Sequence, residues 1–248
     1  KKFSKKHLFE KWKYVEKVKS SSSEEDYYER IMFALEEQKR FGVQSVLSFI
    51  DIDPIAGHRA LNAALKAKKD IDGISLKIAT QMVNGVVEAK KRRLVESRLE
   101  DIDIIGGLPK VESFNSHMDV ICSWAKDTGK RLHVHVDQLN SSSERETEWL
   151  CNYAKEYGLE GMVTAVHSIS LAAHPKKYRD KVYGMCKDVG LSFVSCPSAW
   201  IDSPRKEEVS VTHNSCTPVD ELTQTILYRA MSTGKVNPDL MLLLIEPL

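Results

Sequence analysis

The segment Leu132-His133-Val134-His135-Val136-Asp137-Gln138 gathers two imidazoles, a carboxylate and a carboxamide into one short run. Its alternation with valines reads as a strand, on which His133 and His135 project to the same side because side chains alternate with period 2. His135 closes that strand, with polar groups two and three residues later. A second histidine closes another apolar run, Ala165-Val166-His167-Ser168, 32 residues after His135. Histidines at the ends of neighbouring parallel strands open on the same mouth, which suits a metal ion or a metal with a general base. Each could instead be a core histidine hydrogen-bonded locally, and His133, deeper in its strand, is best read that way.

Other reactive types are weaker candidates. Cys196-Pro197-Ser198, followed by Arg205, could supply a nucleophile, but no third group is in place to orient a Cys–His pair. His213-Asn214 precedes Pro218-Val219-Asp220-Glu221-Leu222 and either lines the mouth or belongs to a surface loop. Lys77, amid apolar neighbours, reads as a buried ion pair or a rim residue. The run Lys90-Lys91-Arg92-Arg93 reads as a solvated helix face.

Positioning these groups requires a regular frame, and the sequence carries one. Short β-branched runs begin near Val43, Ile74, Ile102, Arg131, Met162 and Leu191, at intervals of 28 to 31 residues. Helical patterns lie between them, over 24–41, 55–69, 86–99, 114–127, 144–157 and 176–189. Gly42, Gly129, Gly158 and Gly190 follow four of these patterns, as helix C-caps do. Ser22 with Glu25 predicts a capping box for the first. Strand and helix alternating at this pitch imply βαβ units and a parallel sheet buried on both faces. No GxGxxG or Walker pattern follows any strand, which removes the commonest reason for a doubly wound sheet. The strand ends carry Asp51, Gln81, Pro109, His135 with Asp137 and Gln138, His167, and Cys196 with Ser198. A (β/α)8 TIM-type barrel places reactive groups at such ends and is the preferred architecture, as a single domain over 1–248. The first and eighth strands are missing from the pattern. Residues 5–19 read as a charged amphipathic helix, and Thr223–Lys235 shows no strand closed by an acid. The chain therefore reads as most of a larger enzyme.

Composition bounds the function. The 248 residues carry 36 Lys+Arg against 35 Asp+Glu, a net charge of +1, with 42% hydrophobic and 29% charged residues. That balance argues against nucleic acid as a main partner, since phosphate binding calls for a basic excess. No apolar run approaches the ~18 residues of a membrane span, and no signal peptide is evident. The five cysteines form no CxxC pair and are odd in number, so free thiols in a reducing, cytoplasmic setting are expected. A small-molecule substrate and possible homo-oligomer formation complete the expectation.

His-Val-Asp-Gln after one strand, Val-His-Ser after the next and Ser-Cys-Pro-Ser after the third together resemble the amidohydrolase superfamily, specifically its cytosine deaminase branch. The likeness runs from about Leu8 to Leu222 and includes Ala79-Thr80-Gln81 and Gly107-Leu108-Pro109. It implies one divalent metal ion, zinc or iron, that activates water for attack on an sp² carbon of a nitrogen heterocycle. On the same resemblance His135 is the metal ligand of barrel strand five. His167 holds and polarises the attacking water. Gln81 reads a pyrimidine or triazine edge with its amide, aided by Pro109 and Ser198.

Three departures qualify that picture. The family's HxH pair on strand one and its metal aspartate on strand eight have no counterpart in the pattern. His133-x-His135 is not that HxH pair, because it follows four strand units. Gln138 stands where cytosine deaminases carry a proton-shuttling glutamate, and an amide exchanges no proton near neutral pH. The shuttle would then be Asp137, another group, or dispensable for a better leaving group. The expected activity is metal-dependent hydrolysis of a C–N bond in a small cyclic amidine or amide. The competing readings are a non-catalytic barrel that only binds a small molecule, and a lyase or decarboxylase using His135 and Lys77.

Overall fold

The structure, a computed structural model, describes residues 8–196 and 217–224. The chain divides into two compact units at Ile121/Cys122. The first begins with α1 (Leu8–Ser21) and α2 (Glu24–Arg40), followed by β1 (Ser45–Asp51), α3 (Arg59–Asp70), β2 (Ser75–Gln81), α4 (Ala89–Glu96) and β3 (Ile105–Gly107). The residues of α5 (Phe114–Thr128) divide between the units. The second continues with β4 (Leu132–Val136), α6 (Glu146–Glu156), β5 (Val163–His167), α7 (Lys176–Val189) and β6 (Ser192–Val194).

The fold is α/β with parallel pairing. In the first unit β1 and β2 run parallel from Ser45↔Ser75 to Asp51↔Gln81, and a parallel bridge at Ala79↔Ile104 leads into β3. Thr80 and Gly106 meet so closely there that a Cβ on Gly106 would sit 1.8 Å from the Thr80 carbonyl oxygen. Only glycine allows that approach. In the second unit β4, β5 and β6 pair in order, all parallel. Every residue of β4 and β5 is buried, as the continuous apolar runs predict. In the first unit α3 buries Ala60, Leu61, Ala63, Ala64 and Ala67, a stripe at helical spacing that packs on β1 and β2.

All six predicted strands and all six predicted helices are present, and α1 occupies the stretch read as an amphipathic helix. Gly42, Gly129, Gly158 and Gly190 all take positive φ after their helices, from +63° to +82°. The capping box is one residue later than predicted. Ser23 and Asp26 form it, while Ser22 follows the end of α1 and donates its hydroxyl back to the Val18 carbonyl at 2.8 Å. Three helices start later than their patterns, and a carboxylate engages the residues before each of them. The Ile55 and Ala56 N–H groups donate to Asp53, and those of Val86 and Val87 donate to Glu112. Glu144 accepts from the Leu139 N–H and the Ser170 hydroxyl instead of opening α6. Cys122, Cys151, Cys186 and Cys196 are buried, and none of the four is in a disulfide. Lys77 is a rim residue, its side chain 55% exposed and its Nζ 3.7 Å from Asp103. No described helix is long and apolar enough to cross a membrane.

Candidate active site

The C-terminal ends of β4 and β5 bring His135 and His167 together, with ring centroids 5.3 Å apart and planes inclined by 47°. Both side chains are buried. The pairing register alone would not do this. His135 lies opposite Val166 and Val136 opposite His167, and paired residues of a parallel ladder share a face. A regular pleat would therefore send the two imidazoles to opposite faces. The backbone of His167 departs from that pleat, with φ of +77°, and its ring stands beside that of His135. Such a left-handed residue costs ~1–2 kcal/mol when it bears a side chain.

That strain is concentrated. Among the described residues, the non-glycine positions with positive φ are Asp137, Asn140, His167 and Ser168, all at or just beyond the ends of β4 and β5. Sparsely populated backbone geometry of this kind persists where the surroundings over-determine it, and it gathers at functional sites. The surroundings here are explicit. The Ser168 N–H donates to the Val136 carbonyl at 3.1 Å, and the Ser170 N–H to the Asp137 carbonyl at 3.1 Å. The Thr217 hydroxyl donates to the His167 carbonyl at 2.5 Å. The loop between β4 and α6 is pinned from above, since the Ser141 N–H donates to Ser170 Oγ and His174 Nε2 meets the Glu144 carbonyl.

Asp137 is turned away from the histidines toward α6. Its Oδ1 accepts from the Glu146 N–H at 2.8 Å, and its Oδ2 accepts from the Thr147 N–H at 3.1 Å and the Thr147 hydroxyl at 2.5 Å. In return the Asp137 N–H donates to Glu146 Oε2 at 2.8 Å. Burial pushes the Asp137 carboxyl up to about 6, and the bonds from Thr147 and Glu146 work against that rise. His133 is buried, and its Nδ1 has no hydrogen-bond partner among the described residues. Burial, then the charges of Arg131 and His135, push its imidazole down to about 3, so it stays neutral. Gln138 is half-buried, and its Nε2 is shielded from solvent without a partner among the described residues.

Gln81 and Pro109 belong to the first unit. Gln81 closes β2 opposite Asp51, and Pro109 opens a 3-10 turn to Val111. A buried lock holds the loops that follow these strands. His117 Nε2 accepts from the Leu108 N–H at 3.1 Å, so its proton is on Nδ1 and is donated to Glu112 Oε1 at 2.6 Å. Glu112 also receives the Val86 and Val87 amides. Asp51 faces the buried Lys19 of α1, whose Nζ is 3.4 Å from Asp51 Oδ2 and bonded to Asp53. Burial raises the Asp51 carboxyl to about 6 against the pull of Lys19. Ser198, Arg205 and His213 lie outside the described residues, as does most of the stretch after Leu222 where an eighth strand was sought, whereas the stretch where a first strand was sought is largely α1.

Sequence reasoning found both histidines but missed Thr147, Ser168 and Thr217, whose hydrogen bonds surround the turn at His167–Ser168. The only signal was Ser168 in Val-His-Ser, since Thr147 and Thr217 look like ordinary helix-entry residues. It also missed the His117–Glu112 lock, whose members lie on a helix and in a loop between motifs.

No family model matches the chain. An uncharacterised protein of Haemophilus influenzae is 41% identical over 222 residues, covering 87% of this chain and 80% of its own length. The N-isopropylammelide isopropyl amidohydrolase of a Pseudomonas species is 25% identical over 156 residues, 60% of this chain and 39% of that protein. The solved structure of 5-methylcytosine deaminase from Klebsiella pneumoniae, liganded with phosphonocytosine, superposes with a TM-score of 0.79 at 27% identity. It covers 88% of this chain and 55% of the deaminase. The chain thus spans little more than half of the deaminase and about two fifths of the amidohydrolase. On these likenesses and the ordered strand-end residues, the chain belongs to the amidohydrolase superfamily, in its cytosine deaminase-like branch.

Proposed function

We propose that this chain is part of an enzyme that hydrolyses a C–N bond in a small cyclic amidine or amide, pyrimidine- or triazine-like. The observation that carries the reading is the pair of buried imidazoles, 5.3 Å apart, built at the expense of a left-handed histidine. The related deaminase and amidohydrolase, named for C–N hydrolysis on such rings, support it. In this reading the six parallel units belong to a (β/α)8 barrel that is completed by strands outside the described residues.

A divalent ion, zinc or iron, fits the donor chemistry, since neutral imidazole suits both metals. His135 would hold it. Among the described residues no cluster of three or more His, Cys, Asp or Glu could hold a metal, and in this reading the other ligands would come from strands one and eight. When bound, such an ion lowers the pKa of water to around 7. His167, beside His135, orients the attacking water and stabilises charge as it develops. Gln81 reads the ring edge by accepting and donating through its amide, with Pro109 and Ser198 as further substrate contacts. Gln138 presents the donor of its carboxamide to substrate and moves no proton. Asp137, its carboxylate occupied by three donors, takes no part in proton transfer. The substrate therefore carries a leaving group that departs without a glutamate shuttle. The carboxamide at 138 also favours the second reading, a barrel that binds such a ring without turning it over.

The test is a screen of pyrimidines, triazines and cyclic amides with the metal-loaded protein and its Gln138→Glu variant. Turnover of at least one ring by the parent, with cytosine deamination appearing in the variant, is expected. Binding of a ring without turnover by either protein would establish the second reading instead.

A further inference from the structure

We propose that Asp137 is a positioning residue. Through a hydrogen-bond chain to Thr147 and Ser168 it holds the left-handed turn at His167–Ser168, and so sets the approach of the His135 and His167 rings. The proposal rests on the reading above only in treating that ring pair as the reacting centre.

The direction of the chain follows from counting protons. Thr147 has one hydroxyl proton, and it goes to Asp137 Oδ2 at 2.5 Å. Thr147 Oγ1, 3.0 Å from Ser168 Oγ, must therefore accept, and Ser168 donates. All three side chains are buried, with exposures of 1%, 0% and 0%, so no solvent can replace a missing partner. Ser168 sits at φ +49°, and in that conformation its Oγ stands 3.0 Å from Thr147 Oγ1. A return of residue 168 to extended backbone would swing the hydroxyl away and leave Thr147 with an unmet acceptor. The other end of the chain is equally fixed. Asp137, at φ +53°, grips the first amides of α6 with both carboxylate oxygens while its own N–H bonds Glu146. The N-terminus of α6 is thus an anchor, and Thr147 transmits its position from the end of β4 to the end of β5. Without the chain the ladder register would return His167 to the face opposite His135.

The experiment reads ring proximity and zinc affinity in Thr147→Val, which keeps the shape and removes the hydroxyl, and in Thr147→Ser, which restores it. Proximity is a nuclear Overhauser cross-peak between the ring protons of His135 and His167, and affinity comes from competition of zinc against a chelator. Thr147→Val is expected to lose the cross-peak and weaken zinc about tenfold or more, as loss of supporting groups around metal ligands does. Thr147→Ser is expected to keep both. Adding Ser168→Gly to Thr147→Val should restore the cross-peak, because glycine takes positive φ without strain. If Thr147→Val does not fold, Ser168→Ala removes the same bond from its other end and is read the same way. A folded Thr147→Val that keeps the cross-peak would overturn the proposal, as would a Thr147→Ser that behaves like valine. A parent protein that binds no zinc would count against the proposed function, whereas the cross-peak comparison decides the positioning role in either event.

Discussion

Glu112 offers a measurable ledger of hydrogen bonds. Its carboxylate, 18% exposed, accepts from His117 Nδ1 at 2.6 Å, from the Val86 N–H at 2.7 Å and from the Val87 N–H at 3.2 Å. Bonds to a charged acceptor contribute ~1.5–3 kcal/mol each, and orphaned buried donors add to the loss. Glu112→Ala removes two short bonds and a longer one, and because the carboxylate is 18% exposed the low end of their sum applies, a destabilisation of about 4.5–6 kcal/mol. Glu112→Gln keeps Oε1, where both short bonds land, and loses the charge and the Oε2 bond, for about 1–2 kcal/mol. The pH dependence has a definite sign. Burial works to raise the Glu112 carboxyl, but His117 and the two amides outweigh it and hold it below its ordinary value. Its contribution is therefore complete above the unfolded value of 4.5 and is lost as pH falls below it. Urea unfolding at pH 7 and at pH 4 measures both effects. An alanine variant within about 1 kcal/mol of the parent at pH 7, with m unchanged, would refute the lock as drawn.

Two further predictions concern packing and charge. Gly106→Ala would place a methyl group 1.8 Å from the Thr80 carbonyl, and loss of more than about 4 kcal/mol is expected, read as loss of soluble, cooperatively folding protein. Glu221 binds Arg179 through two bonds of 2.7 and 2.9 Å and accepts from the Tyr183 hydroxyl at 2.7 Å, tying the segment after Pro218 to α7. Arg179 is the main cause holding its carboxyl down at about 2, so the tie persists above pH 4.5 and loosens as pH falls toward 2. Thermal unfolding of Glu221→Gln should then differ from the parent at pH 7 and converge with it at the acid end.

The repeat was legible because both its strands and its helices follow simple periods. β4 and β5 read directly from their apolar runs, and glycine marked the ends of four helices. Helix starts were harder, since they depend on which carboxylate, near or far in sequence, engages the residues before them. Glu112 is 26 residues from Val86, and Asp53 interrupts what would have been the first turn of α3. Chemistry was legible as residue types at strand ends, so His135 and His167 stood out. Their meeting was inferred for too simple a reason. Strand position alone puts them on opposite faces, and the left-handed turn that reunites them is written in Asp137, Thr147 and Ser168. None of these three announces that role in sequence, because it depends on tertiary hydrogen bonds between consecutive βα units.

In the proposed function the β4 and β5 ends form half of a divalent-metal hydrolytic centre. Metal content per polypeptide, measured on the protein and on His135→Ala prepared with zinc and iron supplied, tests it most directly. Close to one equivalent is expected in the parent and a small fraction of that in the variant. A metal-free parent, or a variant that retains its metal, would contradict it.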